Sequence, residues 1–379
     1  MEQSLNMSPL RIIADENMPL VDETFGQFGS VTKLPGRKIS LADVRDADIL
    51  LVRSVTKVNA ELLKASSVKF VGTATIGTDH FDQRWLDEQG IMNVSAPGCN
   101  ADSVAEYVVS CLAGLSLHQG LDLGQCSVGI VGAGNVGQRV ANRMNILGLP
   151  HLQFDPLRPQ RDALFSSCAL EDLLRCNVIC LHAPLTREGD WPSFHMIDES
   201  FLSRLAEGTV LISAGRGPVV DFEALKRHQH RLQLCLDVWE PEPEVQVEVL
   251  KSALIATPHV AGYSLQSKWR GTTMLYSAYC QWQKLAEQAC PWPEQPPRIQ
   301  LKGQTWQEAV LEVYNPFDDT QRTKNALLKA DNVGLAFDQL RKNYPFRHEF
   351  CFPHFSAPQM PLAEKRKLER LGFVFLLDM

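Results

Sequence analysis

Short apolar runs alternate along this chain with longer stretches in which apolar residues recur every three or four positions. The runs LRIIAD (10–15), SVTKL (30–34), DILLVRS (48–54), VKFVGTA (68–74) and IMNVSA (91–96) read as strands, with NAELLKAS (59–66) and FDQRWLDEQG (81–90) as helices between them. This first series ends near Gly98. A long periodic stretch, NADSVAEYVVSCLAGLSLHQG (100–120), predicts a helix leading into a second series: SVGIVG (127–132), HLQFD (151–155), VICLHAP (178–184), TVLISAG (209–215), LQLCLDVW (232–239) and ALIATPHV (253–260). Strands that alternate with helices imply parallel sheets covered on both faces. The expected fold class is α/β, with two doubly wound parallel-sheet domains of Rossmann or flavodoxin type and a small C-terminal α+β domain.

The third region has a different texture. GTTMLYSAYCQWQKLAEQA (271–289) reads as a helix that Pro291, Pro293, Pro296 and Pro297 would stop, making CPWPEQPPRIQL (290–301) a linker. From Arg298 onward helix and strand signals mix among many aromatics, without clustered polar chemistry, so assembly is the expected role of this segment.

At 379 residues the chain is too long for one ordinary core. A net charge of −7, with no dense Lys/Arg run, argues against a nucleic-acid partner. No apolar stretch is long enough to span a bilayer, and the first residues lack a basic start and an apolar signal core, so a cytoplasmic location with no membrane partner is expected. The ten cysteines are scattered; Cys176 and Cys180, close in sequence, have no matching Cys/His pair, and reduced core thiols are expected rather than zinc or disulfides. His228 and His230 read as solvated surface, and no metal site is expected.

Candidate chemistry starts at VGIVGAGNVGQRVANRMNILGLPHLQFDP (128–156). Gly132 permits a tight turn, Gly134 lets the backbone approach a pyrophosphate, and Gly137 allows close helix packing. Asn135 and Val136 open a helix whose apolar face continues through Val140, Met144 and Leu147, and its free N–H groups attract negative charge. Asp155, at the end of the next strand, can accept both ribose hydroxyls of NAD and repel a 2'-phosphate, although Arg158 lies close by. NAD is the expected cofactor. Three later loops, each after a predicted strand, supply Arg216, Glu242 and His259.

The motifs VGIVGAGNVG, LISAGRGPVVD, LDVWEPEP and TPHVAG, in this order over about residues 10 to 285, resemble the D-isomer-specific 2-hydroxyacid dehydrogenase family. LLVRSVTKVN, KFVGTATIGTDH, APGCNADSVAEYV, HVAGYSLQSKWRGTT and the C-terminal extension point to one branch of it. The resemblance implies oxidation of a small phosphorylated 2-hydroxy acid. His259 would be the base, a role suited to a side chain that titrates near neutral pH. Glu242 would fix its tautomer, and Arg216 would hold the substrate carboxylate with its planar fork. By the same resemblance Ala214, Gly215, Asp237 and Gly262 line the cofactor site, and Ser54, Thr75 and Tyr263 contact substrate. Ala183 stands where the relatives lead one to expect threonine. Arg53 and Arg270 are added as cations for a phosphate. The implied domains are substrate-binding (1–102 and 265–290), NAD-binding (103–264) and a dimerisation domain (291–379) that would build a homodimer. Two alternatives stay open: another acid of the same family, such as phosphoglycerate or glyoxylate, and a dinucleotide-sensing regulator.

Overall fold

A computed structural model describes residues 9–290, 292 and 294–376; Pro291 and Pro293 of the expected linker lie outside the described residues. The chain forms two compact units, one running up to Asn100 and resuming over Leu265–Gln295, the other Ala101–Ser264 together with everything from Pro296 onward.

The first unit is built on a parallel sheet of five strands, β1 (Leu10–Asp15), β2 (Gly29–Leu34), β3 (Ile49–Val52), β4 (Phe70–Thr73) and β5 (Met92–Val94), in the order β2-β1-β3-β4-β5. The run ILLV of β3 is buried throughout, as expected of a central parallel strand covered on both faces. Alternate residues serve the two sides. Ile12, Ile49, Leu51 and Phe70 pack with Leu275, Tyr276, Tyr279 and Cys280 of the helix Leu265–Gln283, while Ile13, Leu50, Val52 and Val71 meet Leu62, Leu63 and Leu86. That helix starts before Gly271 and stops before the expected Ala289. Its end is a left-handed Lys284 (φ 56°), with Lys284 N–H donating to Gln281 C=O and Leu285 N–H to Cys280 C=O, and Leu285 folds back onto the apolar cluster.

The second unit carries a parallel sheet of β6 (Val128–Val131), β7 (His151–Phe154), β8 (Val178–Leu181), β9 (Val210–Ser213), β10 (Gln233–Leu236) and β11 (Ile255–Ala256), ordered β11-β10-β9-β8-β6-β7. In both sheets the order reverses beside the first strand, and such a switch point opens a crevice at the carboxyl ends of the strands. One face of the second sheet packs on the helices Ala101–His118 and Asn135–Leu147, the other on Leu202, Leu225, Leu250 and Trp239.

The C-terminal segment does not stand apart from this unit. It has its own small parallel sheet, β12 (Arg298–Gln300), β13 (His354–Ser356) and β14 (Val374–Phe375). Its Trp306, Tyr314, Phe350 and Phe355 nonetheless share a core with Tyr107, Val108 and Leu112, and Leu327 and Phe337 join Trp239 and Val245 on the opposite face. The abundance of aromatics that suggested an assembly surface is thus largely consumed inside the chain. Leu335, Phe346 and Leu362 remain exposed. Among the described residues no helix is long and apolar enough to cross a membrane.

Candidate active site

In the second unit every expected cofactor or catalytic residue lies within six residues of the carboxyl end of a strand. Gly132 leaves β6 with φ 86°, and a Cβ there would lie 2.7 Å from the Ala183 backbone nitrogen after β8. Gly137 is pressed against the Gly132 carbonyl, so neither position admits a side chain. Gly134 differs: a Cβ there meets nothing within 4 Å. It caps the helix Asn135–Leu147 without any side-chain hydrogen bond, leaving the first N–H groups of the helix to a ligand. Asn135 is exposed and Val136 half-buried.

Asp155 follows β7 and braces this loop, accepting from Ala133 N–H (2.9 Å) and Arg158 N–H (3.1 Å). Arg158 is itself committed. It donates to the Ala133 carbonyl (2.7 Å), forks onto Asp162 (2.8 and 3.2 Å) and covers the Phe165 ring at 4.3 Å. A 2'-phosphate would have to compete with Asp162 for it, which removes the main argument against NAD. An open glycine approach, an uncapped helix start and a carboxylate beyond the next strand together fit a dinucleotide.

The next loops assemble a histidine–carboxylate pair. His259 Nδ1 lies 2.9 Å from Glu242 Oε2, and Glu242 Oε1 accepts Trp239 N–H at 2.9 Å. A carboxylate only accepts, so the proton of the ring sits on Nδ1 and Nε2 is left as the acceptor. Burial would push the Glu242 carboxyl up, but the charge and hydrogen bond of His259, the Trp239 N–H and the charge of Arg341 together hold it below its ordinary range. His259 has a left-handed backbone, φ 58°. Asp237 explains how that conformation is held. Buried after β10, it accepts from Thr257 hydroxyl (2.6 Å), Val260 N–H (2.7 Å) and Ala261 N–H (3.0 and 3.1 Å), while its backbone carbonyl takes His259 N–H at 2.7 Å. Burial pushes its carboxyl up, against those donors and the charge of His259.

Arg216, Ala214 and Gly215 form the half-buried loop after β9, and Arg216 donates to the Gly215 carbonyl at 3.0 Å. Gly217 is packed against the backbone of Trp239, three residues before Glu242. Tyr263 and Gly262 sit just past His259, where Ser264 N–H bonds Gly262 C=O at 3.2 Å.

In the first unit Ser54 is exposed after β3, and the Thr75 hydroxyl after β4 meets Thr73 Oγ1 (2.7 Å) and Gly77 C=O (3.1 Å). Arg53 lies against buried Asp15 (3.1 Å), and Arg270 Nε donates to Cys99 C=O at 2.8 Å. Burial and the charge of Arg53 hold the Lys268 amine below the ordinary lysine range, which places a second cation near Arg53. His230 is exposed, whereas His228 pairs with Glu199 at 2.6 Å. All ten cysteines are free, and among the described residues no cluster of His, Cys, Asp or Glu could hold a metal.

Sequence reasoning missed what the C-terminal segment contributes here. Buried Arg347 donates to Ala261 C=O (2.6 Å) and to Ser103 Oγ, and stacks on Tyr314 at 4.0 Å. Glu349 Oε1 accepts the Ser264 hydroxyl (2.8 Å), and Arg341 Nη2 reaches the Tyr263 hydroxyl (3.1 Å). The available signal was a charged stretch, RHE, enclosed by aromatics in YPFRHEFCF. His182 was also missed: both its ring nitrogens are buried without a hydrogen-bond partner, and burial pulls its pKa down to about 4.

Residues 112–261 match the family model described as "D-isomer specific 2-hydroxyacid dehydrogenase, NAD binding domain". The chain belongs to the D-isomer specific 2-hydroxyacid dehydrogenase family, and its class is that of NAD-dependent dehydrogenases. Relatives named erythronate-4-phosphate dehydrogenase match it nearly end to end. That of Cellvibrio japonicus (strain Ueda107) is 45% identical over 96% of this chain and 99% of its own, and that of Klebsiella pneumoniae (strain 342) 44% over 96% and 98%. The fold is also that of the NAD+-bound 3-phosphoglycerate dehydrogenase of Entamoeba histolytica, with a TM-score of 0.62 and 23% identity over 75% of this chain and 100% of that one. D-lactate dehydrogenase of Aquifex aeolicus, complexed with NAD and lactic acid, gives 0.58 and 24% over 72% and 95%.

Proposed function

We propose that this chain oxidises 4-phospho-D-erythronate to 3-hydroxy-2-oxo-4-phosphooxybutanoate with NAD, a step toward pyridoxal 5'-phosphate. The hydrogen bond that fixes the proton of His259 on Nδ1 carries the chemical part of this reading. The likeness to the named relatives across the C-terminal segment supports the substrate.

His259 Nε2 takes the proton of the C2 hydroxyl, and Glu242 stabilises the imidazolium that results. Arg216 grips the carboxylate and polarises the C2 oxygen. NAD, when bound, supplies the acceptor for the C2 hydride. Gly132, Gly134, Asn135, Val136 and Gly137 would hold its pyrophosphate, Asp155 its ribose, and Ala214, Gly215, Gly262 and the less occupied oxygen of Asp237 its nicotinamide end. Ala183 can contribute only backbone. Ser54, Thr75, Tyr263 and Arg53 are the proposed substrate contacts. A cytoplasmic homodimer belongs to the same proposal, the exposed Leu335, Phe346 and Leu362 being available for a second copy.

The test is NAD reduction with 4-phosphoerythronate beside 3-phosphoglycerate and glycerate. The highest kcat/KM is expected for 4-phosphoerythronate. Preference for either competitor would reassign the substrate within the family, and NAD binding without turnover of any of them would favour a sensing role.

A further inference from the structure

The last turn of the helix Val333–Lys342 brings a cation to the His259 turn. Arg341 is half-buried there with its Nε enclosed, and its charge is felt by Glu242. Its position is built from both ends of the helix: Gly334, at the start, lies against Pro243 and Glu244, just past Glu242. One guanidinium nitrogen, Nη2, donates to the Tyr263 hydroxyl at 3.1 Å. The Nε–H is buried and donates to nothing, and among the described residues no carboxylate forms an ion pair with this side chain.

Other arginines of the chain have different circumstances. Arg158 forks onto Asp162 and Arg53 lies against Asp15. Arg347 spends Nε and Nη2 on Ser103 and on the carbonyls of Ala261 and Tyr263, leaving only Nη1 unpartnered, and its face lies on the Tyr314 ring. Arg341 has the Tyr263 hydroxyl, the charges of Glu242 and Asp237 without an ion pair to either, and the partial negative charge of its own helix end, about half an elementary charge. A buried guanidinium N–H left without an acceptor is unfavourable, and an anionic ligand that supplies the missing acceptor removes that penalty. The substrate in the proposed reaction carries two anionic groups, of which Arg216 takes the carboxylate.

We propose that Arg341, together with the Tyr263 hydroxyl, binds the phosphate of the substrate, making the C-terminal segment a contributor to substrate recognition. The identity of the substrate in this proposal rests on the function proposed above; the anion site itself rests on the guanidinium geometry. Phosphate oxygens accept from the Nε and Nη2 edge of a guanidinium in parallel, which a lysine ammonium cannot reproduce.

Two measurements test it. In kinetics with 4-phosphoerythronate and unphosphorylated erythronate, Arg341→Gln should lower the preference for the phosphorylated acid by roughly 10²-fold, mainly through KM, the scale expected for truncating one partner of a buried charge pair. Arg341→Lys should recover part of that loss. Equal losses with both acids would overturn the proposal. In the second, inorganic phosphate added to the NAD-saturated protein should raise the melting temperature of the parent and not of Arg341→Gln, with the NAD-induced shift of the variant showing that it is folded. An equal phosphate shift in both proteins would overturn the anion site even if 4-phosphoerythronate is the substrate. A shift lost in the variant would sustain the site even if another acid proves to be the substrate. Should Arg341→Gln fail to fold, Tyr263→Phe, which removes a hydrogen-bond donor to the phosphate, should still weaken phosphate several-fold, and an unchanged phosphate response there would count against the proposal.

Discussion

His259 adopts a backbone that costs a non-glycine residue on the order of 1–2 kcal/mol, and the surrounding hydrogen bonds offset that cost. Three consecutive N–H groups, those of His259, Val260 and Ala261, converge on Asp237, so the ring is aimed by a buried anchor. Glu242 then sets the tautomer. Both its oxygens act as acceptors, toward Trp239 N–H and His259 Nδ1–H, and glutamine can replace only one of them. Glu242→Gln should therefore lower kcat by at least about 10²-fold while NAD still binds, and His259→Asn should do the same. Single-turnover kinetics beside NAD titration would read both. Near-normal turnover in either variant would return the pair to a structural role.

In the glycine loop, the separate jobs expected of Gly132 and Gly134 have different steric settings. A methyl at Gly132 would strike the Ala183 backbone and require a left-handed alanine, whereas a methyl at Gly134 has open space. Gly132→Ala should destabilise the second unit by a few kcal/mol, as strained backbone and overpacking do. Gly134→Ala should melt near the parent temperature yet bind NAD at least several-fold more weakly. Equal melting losses in the two variants would contradict this division. The strands and this loop were legible because buried parallel strands are continuous apolar runs, and glycine spacing records where backbone must approach backbone. Arg341 was not legible: nothing in FDQLRKNYPF separates it from the solvated cation beside it, and its role depends on a helix packing on a loop almost a hundred residues earlier. Asp237 was expected, through the family resemblance, at the cofactor site, whereas its grip on the His259 turn shows only in three dimensions.

For the molecule as a whole, the segment after Pro296 acts first as core. Phe350 and Phe355 are buried against the same cluster as Tyr107 and Leu112, and removing one such phenylalanine typically costs about 3–5 kcal/mol. A chain truncated after Gln295 should be insoluble or fail to show an NAD-induced thermal shift; a soluble, NAD-binding product would show that the segment is dispensable for folding. Acid stability reports another buried group. His182 stays neutral in the fold down to about pH 4, whereas an unfolded histidine takes up a proton near 6.5. The unfolded state thus gains protons first, and stability should decline as pH falls from about 6.5 to about 4, by up to about 3 kcal/mol from this group. His182→Leu should flatten that part of the pH–stability curve in denaturant titrations, and an unaltered slope would assign the acid limb to other groups.

The return of the chain to its first unit over Leu265–Gln295 has a consequence for biosynthesis. On a translating ribosome, β1 to β5 emerge early, but Leu275, Tyr276, Tyr279 and Cys280, which cover Ile12, Phe25 and Phe70, are made only after the whole of the second sheet. At about 5–20 residues per second, that face waits roughly ten to forty seconds without its helix. For that interval the nascent first sheet is a natural client for a chaperone.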